Sequence, residues 1–157
     1  MRKNQKGFSL IELLIVVAII LIIAAIAIPN LLRARISANE ASAVASCRTM
    51  NTASITYNSS YGSYATALSN LGPSNGATPT STDADLLDQV LAPAGGVNVS
   101  SKSGYTFTYA PAATVGYTIN ADPTSVNQTG VRHFYTDQSG VVRYNSAQVA
   151  ALTDSPL

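Results

Sequence analysis

A carboxylate inside an apolar run is the first residue in this chain that demands chemistry. Residues 6–30 read KGFSLIELLIVVAIILIIAAIAIPN, and between Phe8 and Ile28 the only charged side chain is Glu12. From Leu13 to Ile28 every residue is apolar, ending at Pro29. A carboxylate near the middle of a bilayer costs about 3 kcal/mol on insertion scales, so such groups are kept with a partner. A cut between Gly7 and Phe8 would create that partner. It frees an α-amino group at Phe8, four residues before Glu12, within one helical turn. The helix dipole favours a negative charge at the same end.

Other constellations are poorer. His133 is the single histidine and Cys47 the single cysteine, so an internal disulfide and the usual zinc sets lack their ligands. His133, Asp137 and a serine make a hydrolase triad on paper, but no G-x-S-x-G turn carries a nucleophile. Gly95-Gly96 is not followed by the Lys and Ser/Thr of a phosphate loop. These readings favour a chain that is not an enzyme. Asp122, Asp137 and Asp154 fall in expected loops; their spacing matches no continuous calcium loop, and solvated turn aspartates are the simpler reading. Asn58, Asn98 and Asn127 each open an N-x-S/T triplet, a pattern short enough to arise by chance.

The elements that position Glu12 follow from composition. The chain of 157 residues is sized for one domain, with 11% charged residues and a net charge of +1. Arg2, Lys3 and Lys6 lead the chain; from Phe8 onward six basic and eight acidic residues give −2. No basic patch points to nucleic acid. Residues 8–28 would span about 32 Å as a helix, matching a bilayer core of about 30 Å. Arg33 and Arg35 on the far side weaken the positive-inside bias of the leader. Ala25-Ile26-Ala27 also fits the small-residue site of an ordinary secretory signal, although Glu12 has no use there.

The run from Gly7-Phe8-Ser9-Leu10-Ile11-Glu12 to Pro29 resembles the processing and assembly segment of type IV pilins and of type II secretion pseudopilins. The resemblance is close over about the first 30 residues and loose in the helix that follows. It implies that a membrane-embedded prepilin peptidase cuts after Gly7 and that Phe8 is then N-methylated, which keeps the amine cationic. It also implies that Glu12 pairs with the terminal amine of a neighbouring subunit, so Phe8, Glu12 and Pro29 are the expected assembly residues. The implied partners are further copies in a helical filament, the peptidase, and a pilus or secretion assembly machinery. The implied location is the bacterial inner membrane, N-terminus inside and head outside, followed by a surface or periplasm-spanning filament. Relatives of this kind often carry glycine where this chain has Leu21, which bears on whether the helix melts before Pro29. Major pseudopilins often hold calcium in a head loop, so a calcium ion near Asp122, Asp137 and Asp154 is the one cofactor the resemblance brings in. A secretion pseudopilin shares every N-terminal feature, and a secreted or membrane-anchored soluble domain is the reading of a different class.

The expected fold is α+β. Residues 1–7 are a leader, 8–28 the membrane or filament-core half of a long helix, and 29–57 its amphipathic half. A head follows at 58–157, divided into a variable loop region at 58–104 and an antiparallel sheet at 105–157. Leu32, Ile36, Ala43, Cys47, Met50 and Tyr57 recur at helical spacing, with Arg35, Glu40, Ser46 and Arg48 off that face. Pro29 predicts a kink or break. Thr82-Asp83-Ala84-Asp85 before Leu86–Leu91 predicts a short helix closed by Pro93 and Gly95-Gly96. Alternating residues predict four strands near 105–109, 116–120, 132–136 and 141–144, with a loop at Pro111. Tyr105, Tyr109 and Tyr117 face the core on this reading, while Tyr61 and Tyr64 are offered for contacts between subunits.

Overall fold

The computed structural model describes residues 8–112 and 116–157. Gly7 and the leader cations lie outside the described residues. Helix α1 runs Leu10–Tyr61, and a 3-10 turn at Leu68–Leu71 follows. Six strands complete the fold: β1 Val99–Lys102, β2 Tyr105–Ala112, β3 Gly116–Pro123, β4 His133–Asp137, β5 Arg143–Asn145 and β6 Ser155–Pro156. They form one antiparallel meander in the order β1-β2-β3-β4-β5-β6, so the α+β expectation holds.

Two compact units divide the chain at Arg35/Ile36. In the first, the large apolar side chains stand in solvent, from Phe8 at 77% exposure to Leu31 at 71%. This stretch places one helix long and apolar enough to cross a membrane. The expected break at Pro29 does not occur, because helical backbone continues on both sides of it. A proline nitrogen removes one i→i−4 bond, which an uninterrupted run of strong helix formers on either side tolerates.

The second unit holds the core. From Glu40 to Tyr57 the buried positions of α1 recur every three or four residues: Ala43, Cys47, Met50, Ser54 and Tyr57. They pack under Tyr105, Phe107 and Tyr109 of β2, Tyr117 and Ile119 of β3, and Phe134 of β4. The alternating faces of β2 bury its aromatics and expose Thr108. Tyr105, Tyr109 and Tyr117 are therefore core residues, as their alternation predicts. Ser103 and Gly104 join β1 to β2 with φ of 50° and 72°. Two successive positive values make the primed two-residue turn whose twist suits a hairpin. At Gly130 a Cβ would meet the Tyr105 ring, 2.5 Å from its Cζ, so glycine is what lets this loop lie on the aromatic.

Several boundaries differ from expectation. No helix forms at Leu86–Leu91. Its first N–H groups are taken elsewhere: Ala84 donates to Asn70, Asp85 to Gly72, and Leu86 and Leu87 both to the Leu71 carbonyl. Those bonds fold residues 84–87 onto the 68–72 turn, Asp85 leaves the helical region with φ of 55°, and Leu87 and Leu91 insert into the core from an irregular loop. Strand β2 runs through Pro111, where a loop was expected. Two short strands, β1 and β6, were missed. Strand β6 is two residues long; beside it the Leu157 N–H donates to the Val142 carbonyl at 2.9 Å.

Cys47 is fully buried among these residues, and burial pushes its thiol up to about 12. Thiolate is the reactive form. In the folded chain Cys47 is expected to resist thiol-specific labelling at neutral pH and to label fully after denaturation. Rapid labelling of the native protein would contradict its place in the core.

Candidate functional site

Helix α1 opens on a cap built by the sequence S-L-I-E. Ser9 precedes the first helical residue, its carbonyl accepts the Leu13 N–H at 3.3 Å, and its own N–H donates to Glu12 Oε2 at 2.9 Å. This is the reciprocal arm of a capping box, in which a carboxylate three residues into the helix satisfies the N-cap amide. The Glu12 side chain therefore turns toward the start of the helix, one residue from the Phe8 nitrogen. In the uncut chain the group that Glu12 contacts is the Ser9 amide. Pro29 stands apart, within the helix and exposed.

The head contains a second carboxylate site that the sequence did not advertise. Glu40 was expected off the buried face, yet it is only 7% exposed. Its Oε1 accepts the backbone N–H groups of Val131 and Arg132 at 2.9 and 3.1 Å, and its Oε2 takes the Arg132 Nε at 2.9 Å. Burial raises the Glu40 pKa, but the two backbone donors and the guanidinium outweigh it and hold the carboxyl below its ordinary range. The Arg132 guanidinium also lies 5.5 Å from the centre of the Phe134 ring and 5.7 Å from that of Tyr144. Ser46, likewise expected off the face, is buried as well.

Further along α1, Asn51 donates to Thr136 Oγ1 at 2.7 Å and accepts the Tyr117 hydroxyl at 3.0 Å. Tyr105 donates to the Arg132 carbonyl and Tyr109 to that of Ala65. Glu40, Asn51, Tyr105, Tyr109 and Tyr117 thus find partners for their buried polar tips, which fixes the helix against one sheet register.

The remaining sequence candidates scatter. His133 Nδ1 meets Asp122 Oδ1 at 2.6 Å rather than Asp137, and among the described residues no serine hydroxyl hydrogen-bonds to this imidazole. Asp137 instead accepts the Ser139 N–H, and Asp154 accepts Asn145 Nδ2 and the Ala151 N–H. The three aspartates considered for calcium are not brought together, and among the described residues no group of three His, Cys, Asp or Glu could hold a metal. Tyr61 and Tyr64, offered for contacts between subunits, are half-buried at the margin of the core. Tyr61 packs 4.7 Å from the Tyr57 ring and Tyr64 5.2 Å from Tyr117. Asn98 is engaged too, its Oδ1 accepting the Leu68 N–H.

Comparison with known proteins bears on the N-terminal segment. The family described as "Prokaryotic N-terminal methylation motif" matches residues 2–28. The "Type IV wide pilus major component PilA4" of Thermus thermophilus is 68% identical over 38 residues, which cover 24% of this chain and 29% of that protein. Glu12 and its cap lie inside the matched motif; the Glu40 site lies beyond it. This chain thus joins a prokaryotic N-terminal methylation segment, of the kind seen in a type IV pilin component, to a pilin-like α+β architecture.

Proposed function

We propose that this protein is a structural subunit of a type IV pilus-like filament and acts by assembly rather than by catalysis. The observation that carries the reading is Glu12, the only charge from Phe8 to Ile28, inside a matched methylation motif. The precursor sits in the bacterial inner membrane with its leader in the cytoplasm and its head on the far side. A prepilin peptidase cuts between Gly7 and Phe8 and the new terminus is methylated. The assembly machinery then packs copies helix against helix into a surface filament. The exposed apolar side chains of α1 gain about 25 cal/mol per Å² on leaving water but far less on leaving lipid. Extraction from the membrane therefore needs work from an energy-driven machine, and the apolar surface alone does not set the height at which a subunit docks. Glu12 supplies that height, because a misplaced copy leaves a carboxylate and an amine unpaired in a dry core.

Mass analysis of the N-terminal peptide from the native protein tests the reading. The expected peptide begins at methylated Phe8, and Gly7→Leu abolishes its formation. A mature chain beginning at Ile28 would assign ordinary secretion, and an unprocessed chain in intact filaments would overturn the proposal.

A further inference from the structure

Beside the Glu40 site, the outer face of α1 carries a groove of about 330 Å³. Ser37, Ala41 and Ala45, at i, i+4 and i+8 along the helix, line it together with Val44 and Leu157. Arg48 and Arg132 complete its lining. The Arg132 Nε is committed to Glu40, yet its side chain remains 39% exposed; Arg48 is exposed and enters no ion pair among the described residues. Small residues bring the helix backbone close to whatever lies in the groove, and the two guanidinium groups select for carboxylates.

The head carries carboxylates with nothing to do. Between Ile36 and Leu157 there are seven acidic residues against four basic ones. Glu40, Asp122, Asp137 and Asp154 are engaged as described. The remaining three, Asp83, Asp85 and Asp88, fall in one exposed loop; Asp83 and Asp85 have no side-chain partner among the described residues, and Asp88 accepts only the Leu91 N–H. The loop cannot reach the groove of its own chain. It is pinned near the other end of the head's helix, where the Tyr57 hydroxyl donates to the Ser81 carbonyl at 2.6 Å. From residue 57 to residue 44 at 1.5 Å per residue is about 20 Å.

We infer that the acidic loop around Asp83–Asp88 docks in the Arg48–Arg132 groove of a second copy of this chain. The two patches are different surfaces of one molecule, so the contact is head-to-tail. Each docked copy presents a fresh groove, and such a contact propagates into an open polymer rather than a closed dimer. The inference rests on the filament-subunit reading and adds to it a contact between heads, outside the matched N-terminal segment.

Charge reversal tests it in the full chain, with filaments sheared from producing cells. Arg48→Glu and Asp83→Lys are each expected to lower filament recovery about tenfold, and the double variant to return to within about twofold of wild type. Ala45→Cys combined with Asp83→Cys is expected to give a ladder of disulfide-linked multimers in oxidised filaments, with neither single cysteine doing so. Filament recovery unchanged by both reversals, or no cross-link in filaments of the double-cysteine variant, would overturn the docking while leaving the subunit reading intact. Loss with Arg48→Glu alone, without rescue, would also overturn it and assign the groove to a foreign acidic partner. Failure of the wild-type chain to form filaments would instead overturn the subunit reading.

Discussion

Glu12→Ala is expected to leave cleavage after Gly7 intact while lowering filament yield about a hundredfold or more. Breaking one half of a desolvated charge pair costs about 3–5 kcal/mol, because the remaining charge is stranded. In the single chain Glu12 already has a use, since it accepts the Ser9 N–H at 2.9 Å. Loss of a helix cap costs only about 1 kcal/mol. Glu12→Gln separates the two roles, for it keeps an acceptor for the Ser9 amide but removes the charge. If pairing with an amine governs assembly, the Gln variant fails as the Ala variant does. Full assembly of Glu12→Gln would show that capping is the whole contribution, and normal filaments from Glu12→Ala would dispose of both. Immunoblots for the processed form and quantified sheared filaments read the two outcomes separately.

Glu40→Ala is expected to lower the stability of the head by about 3 kcal/mol, because it orphans two backbone N–H groups and a half-buried guanidinium. Urea unfolding of the detergent-solubilised chain, followed by tyrosine fluorescence, measures it. The same residue gives the head an acid dependence. Its folded pKa lies below the ordinary carboxylate value, so its stabilisation is present above about pH 4.3 and is lost as pH falls through the depressed folded value. The stability gap between wild type and Glu40→Gln should therefore shrink on acidification from about pH 7 to about pH 3. A gap of constant size would mean that the ionised carboxylate contributes nothing.

The contrast between these two carboxylates explains how much of the molecule could be read from its residues. Glu12 was legible because what makes it unusual is local: an apolar run, a leader of cations and a proline within 30 residues. The alternation of Tyr105, Phe107 and Tyr109 was legible for the same reason, since strand period 2 needs no distant information. Glu40 looked like surface charge because its partners, Val131 and Arg132, lie some 90 residues downstream. Leu86–Leu91 has the composition of a helix, and what overrode it was the docking of residues 84–87 on the carbonyls of residues 70–72, with Asp85 held at a positive φ. Tyr61 and Tyr64 sit in a stretch of loop composition, yet the rings they lean on belong to Tyr57 and to Tyr117 of β3. Apart from the Tyr57–Tyr61 pair, one helical turn apart, each of these features depends on a hydrogen bond or ring contact between residues more than a dozen positions apart.

The short closing strand bears on how one head can meet another. An open sheet margin ordinarily offers a row of amide donors to any neighbouring strand and so invites bundling. At β6 that margin ends on Pro156, which has no amide hydrogen, and the following amide of Leu157 is already spent on Val142. On that flank the head gives a neighbouring strand no amide from Pro156 or Leu157, so within the proposed filament sheet-to-sheet fusion through this margin is disfavoured.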